Sequence, residues 1–162
     1  MKNTADTNVL VRAITGDDAH QSALAQAELA QAELIAVPLA VLCELVWVLS
    51  RGYRRPTGDI AAALRRLIDA ADVATNRPAV AAGLAVFEAG GDFADGVIAY
   101  EGHWLGGEEF VSFDRSAIEV RARKGRLVAR VVDIVGVHSP PITLDCAEKG
   151  LRRHHNINDG GH

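Results

Sequence analysis

The chain has 162 residues, 49% of them hydrophobic, which suits one domain with a core large enough to need no covalent staples. A formal net charge of -4 argues against a protein coated in positive charge for duplex binding, while leaving room for a local basic groove. The two cysteines, Cys43 and Cys146, are far apart and in no metal-ligand spacing, so neither a disulfide framework nor a zinc knuckle is expected. The N-terminal Met-Lys-Asn-Thr-Ala-Asp has no apolar signal core and no apolar run is long enough for a membrane span, so a soluble cytoplasmic protein is expected.

In chain order, Lys2 to Asp6 reads as a short strand ending in an acid, after which Asp6-Thr7-Asn8 turns the chain toward the apolar run Val9-Leu10-Val11. Asp17 to Leu34 is built almost exclusively of Ala, Leu, Gln and Glu behind two aspartates and predicts a capped helix. Leu34 to Val37 reads as a buried strand, and Pro38 suits the first turn of a helix running to about Ser50. That helix is apolar on every side except at Glu44, a position where a carboxylate is hard to solvate and needs a partner. Either Glu44 lies half exposed at a groove or pairs with an arginine, or it belongs to a site. Arg51, Arg54 and Arg55 then form a basic elbow, with Gly52 ending the helix and Pro56 preceding the next, Thr57 to Ala71.

Asp72 to Thr75 predicts another strand and Pro78 to Glu88 an Ala-rich helix closed by Gly90-Gly91. The next helix, Asp92 to His103, carries Asp92 and Asp95 three residues apart on one face at its start. Acids are favoured there because the first-turn N–H groups lack partners and the helix dipole is positive, so the pair reads either as a capping arrangement or as part of a site. Glu109 to Phe113 alternates as a strand, with Asp114 the acid at its end. Arg115 to Lys124 predicts a short helix and Leu127 to Val137 a last apolar strand.

Strands alternating with helices predict a parallel-sheet α/β/α sandwich with right-handed crossovers, in which sites form at the carboxyl ends of the strands. Asp6 and Asp114 end strands, Glu44 lies early in the helix after the second strand, and Asp95 opens a helix, so the four acids can converge on one rim. Unit charges about 4 Å apart interact at roughly 4 kcal/mol for an effective dielectric near 20, so such a cluster calls for a cation. Oxygen-only ligands suit Mg²⁺ or Mn²⁺. The histidines, His20, His103, His138, His154, His155 and His162, show no paired metal-binding spacing. Trp47 and Trp104 are expected in core or dimer packing rather than as base-stacking platforms. Neither GxGxxG nor GxxxxGK[ST] occurs.

DTNVLVR at Asp6 to Arg12, PLAVLCELVWVL at Pro38 to Leu49, DFADGVIA at Asp92 to Ala99 and SFDR at Ser112 to Arg115 resemble, in order and spacing, the PIN-domain nucleases, and most closely the VapC toxins of bacterial type II toxin-antitoxin modules. The resemblance spans residues 1 to about 133. By motif position Asp6, Glu44, Asp95 and Asp114 match the family's acidic quartet, and Thr7, Asn8 and Ser112 match the polar neighbours that orient the carboxylates or a metal-bound water. Asp92 is either a cap or a further supporting acid. The resemblance implies an Mg²⁺- or Mn²⁺-dependent endoribonuclease, a cognate antitoxin that lies across the acidic rim, and a homodimer.

In that chemistry the metal polarises the scissile phosphate and supplies a hydroxide for in-line attack, with Glu44 or Asp114 available to orient the water. Activity is then expected to fall on acidification, as protonated carboxylates release the metal. Arg51, Arg54 and Arg55, with Arg12 and Arg115 beside the acids, are the candidates for holding RNA phosphates. Residues 1–137 make up the expected nuclease domain and 138–162 a polar, flexible C-terminal extension that departs from the family pattern. Two other classes stay open. A haloacid-dehalogenase-like phosphatase wants a second aspartate where Asn8 stands, and a binding module without catalysis has no use for a full quartet. No mark of a particular RNA target is legible.

Overall fold

The computed structural model describes residues 1–114 and the backbone of the strand Val128–Val131, all within the first of the two units into which the chain divides, Met1–Val132. The helix expected at 115–124 and the extension expected at 138–162 lie outside the described residues.

Three very short strands form a parallel ladder in the order β1 (Lys2–Thr4), β2 (Leu34–Ala36), β3 (Val73–Ala74). Lys2 pairs with Leu34, Asn3 with Ile35 and Thr4 with Ala36, while Ile35 and Ala36 pair with Val73 and Ala74. Backbone bonds carry the ladder one residue further, from Ala5 N to Ala36 O and from Val37 N to Ala74 O. A second parallel ladder joins β4 (Glu109–Ser112) to β5 (Val128–Val131). Helices make up most of the rest, and the whole is the parallel-sheet α/β/α arrangement that alternating strands and helices imply.

The first helix, α1 (Thr7–Thr15), covers the stretch read in sequence only as a turn followed by an apolar run. Asp6 is the reason. It lies in extended backbone and its Oδ1 accepts from Thr7 N at 2.7 Å, a helix cap two residues beyond the strand. Leu10 and Val11 then turn inward, and Gly16 closes the helix in the left-handed region at φ 66°. The second helix, α2 (Ala19–Ala30), is shorter than Asp17 to Leu34, with Asp18 as the cap accepting from Gln21 N. Asp17 is left outside it, free to bind elsewhere.

After β2, α3 (Leu39–Trp47) runs into a widened turn, Val48–Gly52, where Tyr53 N reaches Val48 O five residues back. Such turns recur at functional sites. The expected end at Ser50 falls inside it. The next helices are α4 (Thr57–Asp69), α5 (Arg77–Glu88) and α6 (Phe93–Trp104). Leu10, Leu42, Leu45, Leu49, Ile60, Leu64, Val80 and Phe93 are fully buried and join the inner residues of β2 and β3 in one core.

The closest packing in the fold joins α5 to α6. A Cβ on Gly96 would lie 2.5 Å from Gly83 Cα and 2.6 Å from Ala82 O, and one on Gly83 would strike the Phe93 ring at 2.7 Å. The two helices therefore meet backbone to backbone. Gly96 follows Asp95 directly, so this contact fixes where that carboxylate starts from.

Candidate active site

The rim at the carboxyl ends of the strands carries the acids in two groups. The first is Asp6 and Glu44. Thr7 sits between them, 4% exposed, and while its N–H donates to Asp6, its hydroxyl donates to Glu44 Oε2 at 2.6 Å. One residue thus braces two carboxylates from different elements, Asp6 through its backbone N–H and Glu44 through its hydroxyl. Glu44 itself is exposed, so its carboxylate is not the hard-to-solvate group that its apolar helix suggested. Ala40, Glu44, Trp47 and Arg51 follow one another at helical spacing, and all four are exposed, so this stripe faces the open rim while Leu42, Leu45, Val46 and Leu49 fill the core.

The second group is Asp92, Asp95 and Asp114. All three line a cleft of about 440 Å³, together with Val46, Trp47, Ser50, Arg51, Arg55, Thr57, Phe87, Gly90 and Gly91. Asp92 is the N-cap of α6, its Oδ1 accepting from Ala94 N at 2.8 Å. Asp95 stands at the third helical position, half-buried. Asp114 follows β4 and is exposed, and its backbone N–H donates to Ser112 Oγ at 3.0 Å, so Ser112 shapes the turn that carries it. Asn8 is exposed in the first turn of α1.

The full convergence expected of the quartet is not reached. Among the described residues no three His, Cys, Asp or Glu side chains gather closely enough to hold a metal ion. Among the candidate acids, Asp6 turns an oxygen to Thr7 N, Glu44 to the Thr7 hydroxyl and Asp92 to Ala94 N. The chemistry of the donor set nonetheless fits a hard divalent cation, since every candidate offers carboxylate oxygen.

The basic elbow divides. Arg51 and Arg55 line the cleft. Arg54 does not, and sits in the left-handed region at φ 51°, where the chain reverses. Arg12, expected beside the acids, instead binds Asp17, and Arg115 lies outside the described residues. Asp17 also accepts from Tyr53 Oη at 2.6 Å and from Thr15 Oγ1 at 2.9 Å. These three donors, Arg12 first, hold its carboxyl well below the usual carboxylate range. The network ties the end of α1 to the elbow. The sequence reading missed it, because Asp17 looked like one of two helix-capping acids.

Cys43 is half-buried, and burial, then the nearby charges of Asp92 and Glu101, push its thiol up. A thiol held protonated is a poor nucleophile. His20 and His103 are exposed on α2 and α6. Trp47 and Trp104 are 61% and 73% exposed, so neither is in the core, the first of the two settings expected for them. Ser50 and Thr57 are cleft residues that the motif reading passed over, and Trp47 lines the same cleft. The signal was the spacing of Trp47, Ser50 and Arg51 at i, i+3 and i+4.

The PIN domain family pattern matches residues 4–123, well over half of the chain, and the protein belongs to that family. PIN domains are in general metal-dependent nucleases with a parallel-sheet α/β/α fold. Comparison with curated proteins gave no match. Among the described residues no helix is long and apolar enough to cross a membrane.

Proposed function

We propose that this protein is an Mg²⁺- or Mn²⁺-dependent endoribonuclease and the toxin of a type II toxin-antitoxin module, acting in the cytoplasm as a homodimer until a cognate antitoxin covers its acidic rim. The observation that carries the reading is the pairing of an acid-lined cleft with two guanidinium groups at the carboxyl ends of the strands, within a PIN domain. Asp6, Glu44, Asp95 and Asp114 are the residues that would hold the metal, with Thr7, Asn8, Asp92 and Ser112 in support. A divalent cation there supplies Lewis-acid polarisation of the phosphate and a more acidic water.

The protein's own groups do the rest. Thr7 keeps Glu44 in one rotamer, so that a carboxylate oxygen faces the rim with its direction fixed. Glu44 or Asp114 takes the proton from the attacking water as general base. Arg51 and Arg55 hold the backbone phosphate on either side of the scissile bond, and because these contacts displace condensed counterions, affinity falls steeply with salt. An antitoxin arginine offered to the carboxylates would block the same oxygens in a bidentate, charge-assisted way. Residues 1–137 are proposed as the nuclease domain and 138–162 as a separate polar extension.

The test is cleavage of single-stranded RNA and of a small phosphomonoester side by side, with Mg²⁺ and with EDTA. Internal cleavage of RNA that EDTA abolishes is expected. Turnover of the monoester alone favours the phosphatase class, and no turnover of either favours a binding module. Thermal melts add a readout independent of activity. Millimolar Mg²⁺ raises the midpoint if the native carboxylates bind it, and an unchanged midpoint counts against the site.

A further inference from the structure

The cleft holds an exposed aromatic residue that the proposed chemistry does not use. Trp47 lies at the end of α3, one helical turn beyond Glu44 and one before Arg51, on the exposed stripe. Its indole is 61% exposed and lines the same cleft as Asp95, Asp114, Arg51 and Arg55. An aromatic ring of this size in water costs solvation free energy that core packing would recover, and on the same helix Leu42, Leu45 and Val46 are packed away. The ring thus lines the same cleft as the carboxylates and the guanidinium groups and stays open to solvent. Among the described residues neither Arg51 nor Arg55 forms an ion pair, whereas Arg12 and Arg65 do. A flat apolar face with two uncommitted cations beside it is complementary to one kind of ligand, a base with its own phosphate attached.

We infer that Trp47 is a stacking platform for one unpaired base of the substrate strand, with Arg51 and Arg55 taking the phosphate next to that base. The inference rests on the nuclease reading and adds to it a residue that selects substrate. In a duplex every base already stacks on its neighbours and the deep groove of A-form RNA is closed to side chains, so the platform is useful only for a single strand or a loop. Stacking is tolerant of base identity, because every base has a π-face. Trp47 therefore selects for unpaired structure and leaves sequence preference to other contacts.

The experiment uses intrinsic fluorescence. The chain has two tryptophans, and W104F leaves Trp47 as the sole indole. A short oligouridylate is titrated in EDTA, where binding is read without cleavage, beside an oligoadenylate–oligouridylate duplex of equal length. Quenching of Trp47 by the single strand and little by the duplex is expected. W47A should weaken single-strand binding about 5- to 150-fold, and W47F should keep most of the affinity. As Trp47 is exposed, both variants should melt as the parent does, which a thermal scan checks. Equal affinity of W47A and the parent for the oligouridylate overturns the inference, as does a loss that is the same for the duplex. If W47A leaves RNA affinity unaltered but abolishes self-association in sedimentation, the ring belongs to an interface between copies, which also overturns it. RNA binding and cleavage that ignore W47A sink this inference alone. A parent protein that neither binds nor cleaves RNA sinks the nuclease reading and takes this one with it.

Discussion

Asp6 and Glu44 come from two elements and are tied through one buried threonine, whereas Asp92, Asp95 and Asp114 come from a helix start and a strand end and meet at a cleft they share with arginines. In the first group a short hydrogen-bond chain fixes the side chains directly. In the second, position is inherited from packing: the Gly83–Gly96 contact sets the height of α6 against α5, and Asp95 goes where the helix goes. A site can therefore be braced at the side chain or at the backbone, and the two kinds of bracing fail differently when mutated. Loss of a side-chain brace leaves the fold and blurs the geometry, while loss of a backbone contact moves the whole element.

The largest effect expected is at Asp95. Asp95→Asn keeps shape and an accepting oxygen but removes the charge, so cleavage of a model RNA at saturating Mg²⁺ should fall by orders of magnitude while the melting midpoint stays near the parent value. Asp92→Asn should leave cleavage almost intact, because asparagine accepts from Ala94 N as aspartate does. Equal losses would place both acids in the chemistry, Asp92 acting through a water or a neighbour. An active Asp95 variant beside a dead Asp92 variant would reverse the assignment.

Next comes the threonine brace. Thr7→Val conserves volume at a buried position and deletes the hydroxyl that Glu44 accepts from. Activity should drop about 10- to 100-fold, the usual scale for losing a group that orients a ligand. Stability should change little, since exposed Glu44 regains water. Unchanged turnover would mean that Glu44 needs no orientation.

Backbone bracing is probed by Gly96→Ala, whose new methyl meets Gly83 Cα at 2.5 Å. Alanine gains about 0.8–1.0 kcal/mol of helix propensity, against roughly 1–3 kcal/mol for overpacking a tight contact. A lower melting midpoint is expected, with activity falling alongside because Asp95 shifts. A raised midpoint would show that the helices can part at no cost.

The smallest effect belongs to Asp17, whose network lies outside both acid groups. Its folded-state pKa is depressed, so its contribution to stability is complete above the unfolded carboxylate value near 3.9 and fades as pH falls through and below that value. Asp17→Asn should melt earlier than the parent at neutral pH, and the gap should narrow below about pH 4. A gap that persists undiminished in strong acid would point to packing rather than charge.

Much of this architecture is legible along the chain because it depends on local chemistry. Helix starts at Asp18 and Asp92 and the proline before α4 act within a few residues of themselves, and capping and fixed φ need no distant partner. The four acidic motifs and their spacing likewise identify the PIN domain from sequence order. Other features were set by contacts between residues far apart in sequence. The apolar run after Asp6 became a helix because its cap and its buried face formed together. Glu44 and Trp47 are exposed because nothing among the described residues covers that stripe of α3, a fact no apolar count along the helix can reveal. Arg12 went to Asp17, Arg54 to a chain reversal, and Arg51 with Arg55 to the cleft, although in sequence all four are alike as cations near acids. Sequence by itself determined which residues carry the charge and where elements begin. Which charges share a cleft was decided by the tertiary structure, because side-chain direction depends on how helices pack, and here that rests on two glycines with no side chain to announce them.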